Sequence, residues 1–459
     1  MSALATLPVT SPYSGELVGE APMSGPAQVA RALDAAARAG APPPRHERAR
    51  VLNAVADRLV DESAEWAQLI SLESGLCLKD TRHEVGRAVD VFRFAAIEAL
   101  RDDGETFAGD ISERGRDRRA HTLRVPVSAA AGITPFNHPL NQVAHKVAPA
   151  IAAGAPIVLK PSERTPLSAL RLGEVLLDAG VPADRVRIVC GDPAQVLDAF
   201  LAHPAVEVIS FTGGVAVGKS IAQRLGYRRA VLELGGNDPL IVLGDADLDE
   251  AAALAVSGAF ANSGQRCSAV KRIIALAEVA DELAQRVAAA AADLRCGDPL
   301  DEATDVGTVI DEAAAAAIAR RVQDAVAAGA RLLYGGERDG ALLTPAVLDH
   351  VAPEMELVAA ETFGPVAPIM RVRDLDEAIA TANGTPYGLS SGVCTFDWRA
   401  ITRCVRELRA GTVNIREVPG WRTELTPFGG VGDSGLGVKE GVREAMRAMS
   451  HTKLYTLPW

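Results

Sequence analysis

The stretch AVEVISFTGGVAVGKSIAQRL, Ala205 to Leu225, runs from a buried-strand pattern through a glycine loop into the start of a helix. Its loop, GGVAVGKS from Gly213 to Ser220, fits the phosphate-loop pattern G-x-x-x-x-G-K-[ST] letter for letter. Backbone N–H groups gathered at a helix start hold phosphate, and strand, loop, helix is the order such a site needs. Taken alone, the stretch allows a nucleotide triphosphatase. The rest of the chain has to decide.

Working outward, strand and helix patterns alternate. AAAGITPF is a strand, NQVAHKVAPAIAAG a helix, APIVLKPS a strand, LSALRLGEVLLDAG a helix, RVRIVCG a strand and PAQVLDAFLAHP a helix, before the strand VEVISFTGG. Regular alternation with short loops predicts a doubly wound parallel α/β sheet, which binds ligands beyond the carboxyl ends of its strands. Asn137, Lys160 and Gly213 fall at those ends. Upstream, Pro26 to Leu100 carries apolar residues at three- and four-residue spacing and predicts helices. Downstream of Glu233, DPLIVLGDADLDEAAALAV and the segments after it predict a second α/β unit.

The chain has 459 residues, nearly half of them apolar, and a net charge of −12 without an acidic or basic tail. Such a balance argues for a protein with a large core and against a nucleic-acid binder. The cysteines, Cys77, Cys190, Cys267, Cys296, Cys394 and Cys404, form no C-x-x-C pair and no zinc spacing, so no metal site and a reducing, cytoplasmic setting are expected. The N-terminus shows no signal-peptide pattern, and no stretch has the composition of a membrane span.

Three segments carry chemistry. NSGQRCSAVKR places Cys267 after a polar, glycine-containing turn. LELGGNDP places Glu233 before paired glycines. ITPFNHPLNQVAHK places Asn137 at a strand end. A lone Cys is more often a small buried hydrophobe, and a lone Glu a solvated charge. Together, and in order with LKPSERTPLSAL, FTGG, ETFGPV, YGLSSGV and PFGG, they resemble the aldehyde dehydrogenase superfamily over almost the whole chain. Within it the resemblance is nearest to phosphonoacetaldehyde dehydrogenases and their lactaldehyde-type neighbours.

That resemblance decides against the triphosphatase. It implies that FTGGVAVG faces the pyrophosphate of a dinucleotide and that Lys219 and Ser220 complete the other pattern by accident. It also implies a cofactor domain over 1–112 and 130–233, with 428–447 returning to it. A catalytic domain would span 234–427, and 113–129 with 448–459 would form a small β element for homo-oligomerisation, as a dimer or a dimer of dimers. Cys267 would attack the aldehyde and form a thiohemiacetal. Hydride transfer to nicotinamide would leave a thioester, and water deprotonated by Glu233 would release the acid. The Asn137 amide and the Cys267 backbone N–H would hold the oxyanion. Thr134, Pro135, Phe136, Lys160, Ser162, Glu163, Thr212, Gly213, Gly214, Gly218, Leu234, Glu361 and Phe363 match cofactor-binding positions. The Glu163 carboxylate would repel a 2′-phosphate, favouring NAD, while the small Ser162 still admits NADP. Two departures are Gly214, where the family usually has Ser, and Ala360, in place of the first Glu of E-E-x-F-G-P.

Charge beside the nucleophile points to the substrate. Arg266 precedes Cys267, and Arg87, His138 and Arg422 match segments that line the substrate entrance in this subgroup. Guanidinium groups bind phosphonate or phosphate oxygens in pairs. A phosphonate aldehyde ranks first. Lactaldehyde or glyceraldehyde 3-phosphate comes second, and succinate semialdehyde third. Arg87 is about as well explained by pairing along its helix, and His138 by a structural hydrogen bond. Arg416, another nearby cation, matches no pattern.

Overall fold

The computed structural model describes residues 5–438 and 440–459. The chain opens with a hairpin, β1 (Thr6–Thr10) and β2 (Leu17–Pro22), followed by helices α1 (Pro26–Ala37), α2 (Arg45–Asp61), α3 (Ser63–Ser74) and α4 (Leu78–Ala99). These are the helices expected between Pro26 and Leu100. Helix α3 stops at Gly75, in the left-handed region at φ +76°, where a Cβ would come within 1.9 Å of Thr308 Oγ1. Only glycine fits there. Two strands of the outer sheet follow, β3 (Thr106–Ala108) and β4 (Arg118–Pro126).

The alternating region forms the expected elements: β5 (Ala129–Ile133), α5 (Asn141–Ala153), β6 (Ile157–Lys160), α6 (Leu167–Asp178), β7 (Val186–Ile188), α7 (Pro193–Ala202), β8 (Val206–Thr212) and α8 (Val215–Arg224), and the structure adds a further strand, β9 (Arg229–Glu233). Its five strands are parallel, in the order β7-β6-β5-β8-β9. The small residues of β5 alternate between two cores. Ala130 packs with α2, α4, α5 and α6, while Ala129 and Ala131 pack with α1 and α7. Side chains on a strand point alternately to opposite faces, so one short apolar run serves both layers. Strand order reverses between β5 and β8, and the crevice at their carboxyl ends is where such sheets take ligands.

The second unit contains β10 (Pro239–Val242), α9 (Leu248–Phe260), β11 (Arg272–Leu276), α10 (Ala277–Ala292), α11 (Glu312–Ala327) and β12 (Arg331–Tyr334). It continues through a small hairpin, β13 (Arg338–Asp339) and β14 (Leu342–Leu343), then β15 (Ala346–Asp349), α12 (Glu356–Ala359), β16 (Val366–Val372), α13 (Leu375–Ala382), β17 (Ser390–Cys394), α14 (Trp398–Glu407) and β18 (Thr412–Ile415). The seven-stranded sheet runs β12-β15-β16-β11-β10-β17-β18, parallel except for the edge strand β12. After α15 (Val442–Ala448), the terminal β19 (Ser450–Pro458) pairs along the whole of β4. The outer sheet, β19-β4-β3, begins at Thr106, inside the span that the sequence assigned to the cofactor domain.

Candidate active site

The carboxyl ends of β5, β8 and β9 meet the loop of Glu361 and Phe363 around a cavity of about 210 Å³. Pro135, Phe136, Asn137 and His138 line one side, and Thr212, Gly213, Gly214 and Leu234 another. Cys267, Glu361 and Phe363 complete it. Phe136 meets Phe363 edge to face at 6.0 Å between ring centroids. Thr134 Oγ1, beside the cavity, is buried and has no hydrogen-bond partner among the described residues. An apolar slot with an orphaned hydroxyl fits a flat, polar-edged ring such as nicotinamide. Helix α8 is preceded by Gly214 at its N-cap, and its fourth residue, Gly218, lies against Leu234, where a Cβ would come within 2.3 Å of Leu234 Cδ2. Nothing lies within 4 Å of a Cβ on Gly214, so the absent serine costs a donor and no packing. At the end of β6, Lys160 Nζ donates to Pro161 O at 2.9 Å and pairs with Glu163 at 3.0 Å. Lys219, the residue that completes the triphosphatase pattern, is bound to Asp433 at 2.8 Å instead.

Cys267 follows a strained turn. Asn262, Ser263 and Gly264 all have left-handed φ values, 60°, 51° and 69°. For Asn262 and Ser263 that conformation costs about 1–2 kcal/mol each. Contacts from three other segments hold it. Asp80 Oδ2 accepts the Asn262 N–H at 2.7 Å, Ser263 Oγ donates to Gly307 O at 3.1 Å, and Asn262 Nδ2 donates to Asn137 O at 3.0 Å. Asn137 Nδ2 in turn donates to Gln265 O at 2.7 Å. The expected oxyanion donor therefore lies on the turn that presents the sulfur, and a primary amide keeps a second N–H for a ligand. Burial pushes the Cys267 thiol up to about 11, and the Lys271 ammonium acts in the opposite direction. Glu233 ends β9 as a buried residue, its Oε1 2.5 Å from where a Cβ on Gly429 would sit. Its carboxylate thus lies against the PFGG loop and off the cavity wall.

The four expected cations gather around this point. Arg87, Arg266 and Arg422 each act electrostatically on Cys267, and His138 shares its cavity. Their partners were not foreseen. Arg87 Nε donates to Glu424 at 2.5 Å, and His138 lies 3.5 Å from Glu84. Arg266, the cation next to Cys267 in the sequence, turns its Nη2 to the carbonyls of Ser257 and Gly258 at 3.1 and 2.7 Å. Those carbonyls lie in the last turn of α9, where each also accepts a backbone N–H, Ser257 O from Ala261 and Gly258 O from Val270. Of the three arginines, Arg422 is the least committed. Its guanidinium stacks on Phe428 at 3.9 Å and lies 3.9 Å from Glu424, and its buried Nη1 has no partner among the described residues. Arg416 is outside the site, paired with Glu250 at 3.0 Å and stacked on Phe396.

Sequence reasoning missed Lys271 and Glu424. Each had a signal. Lys271 stands just before an apolar run where a solvated lysine has no place, and Glu424 sits two residues after Arg422 in an otherwise uncharged run. Glu424 is buried, which by itself would raise its carboxyl. His145 and Arg87, with Arg422 further off, hold it well below the usual range.

Residues 1–455 match the Aldehyde dehydrogenase family, and the chain belongs to it. The chain is 37% identical over 429 residues to a 3-sulfolactaldehyde dehydrogenase of Priestia aryabhattai, covering 94% of this chain and 89% of that one. It is 38% identical over 407 residues to a sulfoacetaldehyde dehydrogenase of Neptuniibacter caesariensis, covering 89% of each. The crystal structure of glyceraldehyde-3-phosphate dehydrogenase from Methanocaldococcus jannaschii, complexed with NADP, superposes with a TM-score of 0.94 at 35% identity, covering all of both chains. The protein is accordingly an NAD(P)-dependent aldehyde dehydrogenase with the fold of that family.

Proposed function

We propose that this enzyme oxidises a small aldehyde bearing a terminal tetrahedral oxyanion, sulfonate or phosphonate, to the carboxylate. The observation that carries this reading is Arg422, a buried guanidinium beside Cys267 with an N–H that has no partner among the described residues. A buried cation costs free energy unless a partner satisfies it, and an oxyanion is its natural partner. The sulfonate substrates named for two relatives have that chemistry, and phosphonate shares its shape and sign. Lactaldehyde, glyceraldehyde 3-phosphate and succinate semialdehyde rank behind them.

Cys267 attacks the aldehyde carbon and forms a thiohemiacetal. The second N–H of Asn137 and the Cys267 backbone N–H stabilise the oxygen as it becomes charged; one such donor is typically worth about 3 kcal/mol. The bound nicotinamide cofactor supplies the hydride acceptor. Glu233 moves from Gly429 toward the sulfur and deprotonates the water that releases the acid from the thioester. Thr134, Pro135, Phe136, Thr212, Gly213, Gly214, Gly218, Leu234, Glu361 and Phe363 hold the nicotinamide and pyrophosphate, and Lys160, Ser162 and Glu163 the adenosine ribose. The Lys160–Glu163 pair keeps a carboxylate at the ribose, which favours NAD over NADP. The three larger sheets divide cofactor binding, catalysis and assembly. Leu454, Tyr455 and Leu457 are exposed on β19, an edge strand, and an apolar edge recruits a second copy.

The test is a substrate panel of sulfoacetaldehyde, phosphonoacetaldehyde, glyceraldehyde 3-phosphate, succinate semialdehyde and propanal, followed by reduced nicotinamide. The highest kcat/KM is expected for a sulfonate or phosphonate. A preference for propanal would refute the reading.

A further inference from the structure

We propose that Lys271 is a positioning residue of the active site, whose buried ammonium both fixes the Cys267 loop and supplies the cation that promotes ionisation of its sulfur. The inference rests on Cys267 being the nucleophile. Lys271 directly precedes β11 and is buried. An ammonium has three N–H donors, and here each finds an acceptor. Lys271 Nζ donates to Gly236 O at 2.8 Å, to Cys267 O at 2.7 Å and to Glu361 Oε1 at 2.7 Å. Its backbone N–H donates to Asp238 O at 3.0 Å, and the ammonium sits 5.6 Å from the Phe363 ring centroid.

One side chain therefore joins three segments that are far apart in sequence: the glycines after Glu233, the nucleophile and the loop of Glu361 and Phe363. No other residue named in the site contacts all three through one atom. The need for glycine at position 235 follows from the same convergence, since a Cβ there would come within 2.3 Å of Glu361 Oε2.

The electrostatic role follows from what faces the sulfur. Lys271 and Arg422 favour the thiolate, and Asp238 and Glu361 oppose it. Arg87 and Arg266 add positive charge from α4 and from the nucleophile's own loop. Among these, Lys271 exerts the largest favourable effect, against burial, which holds the thiol up. Arg266 and Arg87 divide their fields with Asp80 and Glu424. Lys271 shares its own with Glu361, so the two members of this ion pair pull the thiol in opposite directions.

That opposition gives the test. In the cofactor-free enzyme, carbamidomethylation of Cys267 by iodoacetamide is followed between pH 7 and pH 10 by mass spectrometry of the Cys267 peptide. The thiolate is the reacting species, and below the midpoint its population rises about tenfold with each step of one in pH. Lys271→Met is expected to slow alkylation at pH 8 several-fold and to displace the profile toward alkaline pH. Glu361→Gln, which keeps an oxygen to accept from Gly236 and Lys271, is expected to accelerate it and displace the profile toward acid. A merely structural lysine would move both variants the same way, or leave the Lys271→Met profile unchanged, and either result overturns the proposal. If Lys271→Met does not fold, the neutral pair Lys271→Met/Glu361→Gln is compared with Glu361→Gln alone. Slower alkylation of the double variant supports the proposal, and an equal rate overturns it. Cys267→Ser turnover tests the nucleophile separately, so failure of the two ideas is distinguishable.

Discussion

Replacing Arg422 by alanine separates substrate recognition from scaffolding more cleanly than any other change in the site. The Arg422 side chain is 7% exposed, and its closest carboxylate contact is Glu424 at 3.9 Å. Glu424 is already bonded to Arg87 and His145, so removing Arg422 leaves no carboxylate stranded. The stability cost is then the stacking on Phe428, up to about 2 kcal/mol, together with the space the side chain filled. The catalytic cost is different in kind. Truncating one member of a desolvated charge pair costs about 2–5 kcal/mol, which at 1.4 kcal/mol per decade is roughly 30-fold to several-thousand-fold in kcat/KM. That loss is expected for sulfoacetaldehyde and phosphonoacetaldehyde. Propanal, which has no oxyanion to place, should lose less than about tenfold, through the weaker field on Cys267. Steady-state kinetics on the three aldehydes, with melting temperature as a control, give the answer. Equal losses on charged and uncharged aldehydes would make Arg422 structural, and a neutral hydroxyaldehyde would replace the oxyanion substrate.

Three further outcomes are expected. Lys219→Ala should leave NAD affinity nearly unchanged by calorimetry, because Lys219 is committed to Asp433, and neither form should hydrolyse ATP; magnesium-dependent hydrolysis abolished by the substitution would contradict the site assignment. Glu424→Gln should destabilise the fold by about 3 kcal/mol, as loss of one partner from a buried ion pair does. The Glu424 carboxyl lies below its ordinary 4.5 in the fold, so its contribution is present above that pH and fades as pH falls; the variant should show a flatter acid limb in melts taken from pH 7 to pH 3, and an unchanged limb would count against the network. Light scattering at micromolar concentration should find a dimer or a dimer of dimers, and a monodisperse monomer would leave the exposed face of β19 unexplained.

The five-stranded half of the molecule was legible because its signals are local. Each strand from β5 to β8 is a short apolar run bounded by Gly or Pro, and each helix between them stops at a turn that sequence chemistry marks. Cys267 and Asn137 were legible for the same reason, standing in short segments whose turn residues fix them. Glu233 was marked by the paired glycines after it, yet the direction of its carboxylate depends on a loop almost two hundred residues away in sequence. The same distance hid the partners of the cations. Arg87 and Glu424 meet only after α4 packs beside the terminal loop, and no periodicity records that contact. Arg266 shows the limit most plainly. Its position next to Cys267 suggested a role at the sulfur, but the acceptors that claim one end of it are carbonyls, which every residue carries and no sequence pattern advertises.

The central claim is that Cys267 carries the acyl group between oxidation and hydrolysis. Glu233→Gln enzyme mixed with NAD and sulfoacetaldehyde, quenched in acid and digested, tests it at the level of the peptide. The mechanism predicts one burst of reduced nicotinamide and a matching acyl mass increment on the Cys267 peptide. An increment on another cysteine, or sustained turnover in Cys267→Ser with no increment anywhere, would contradict it.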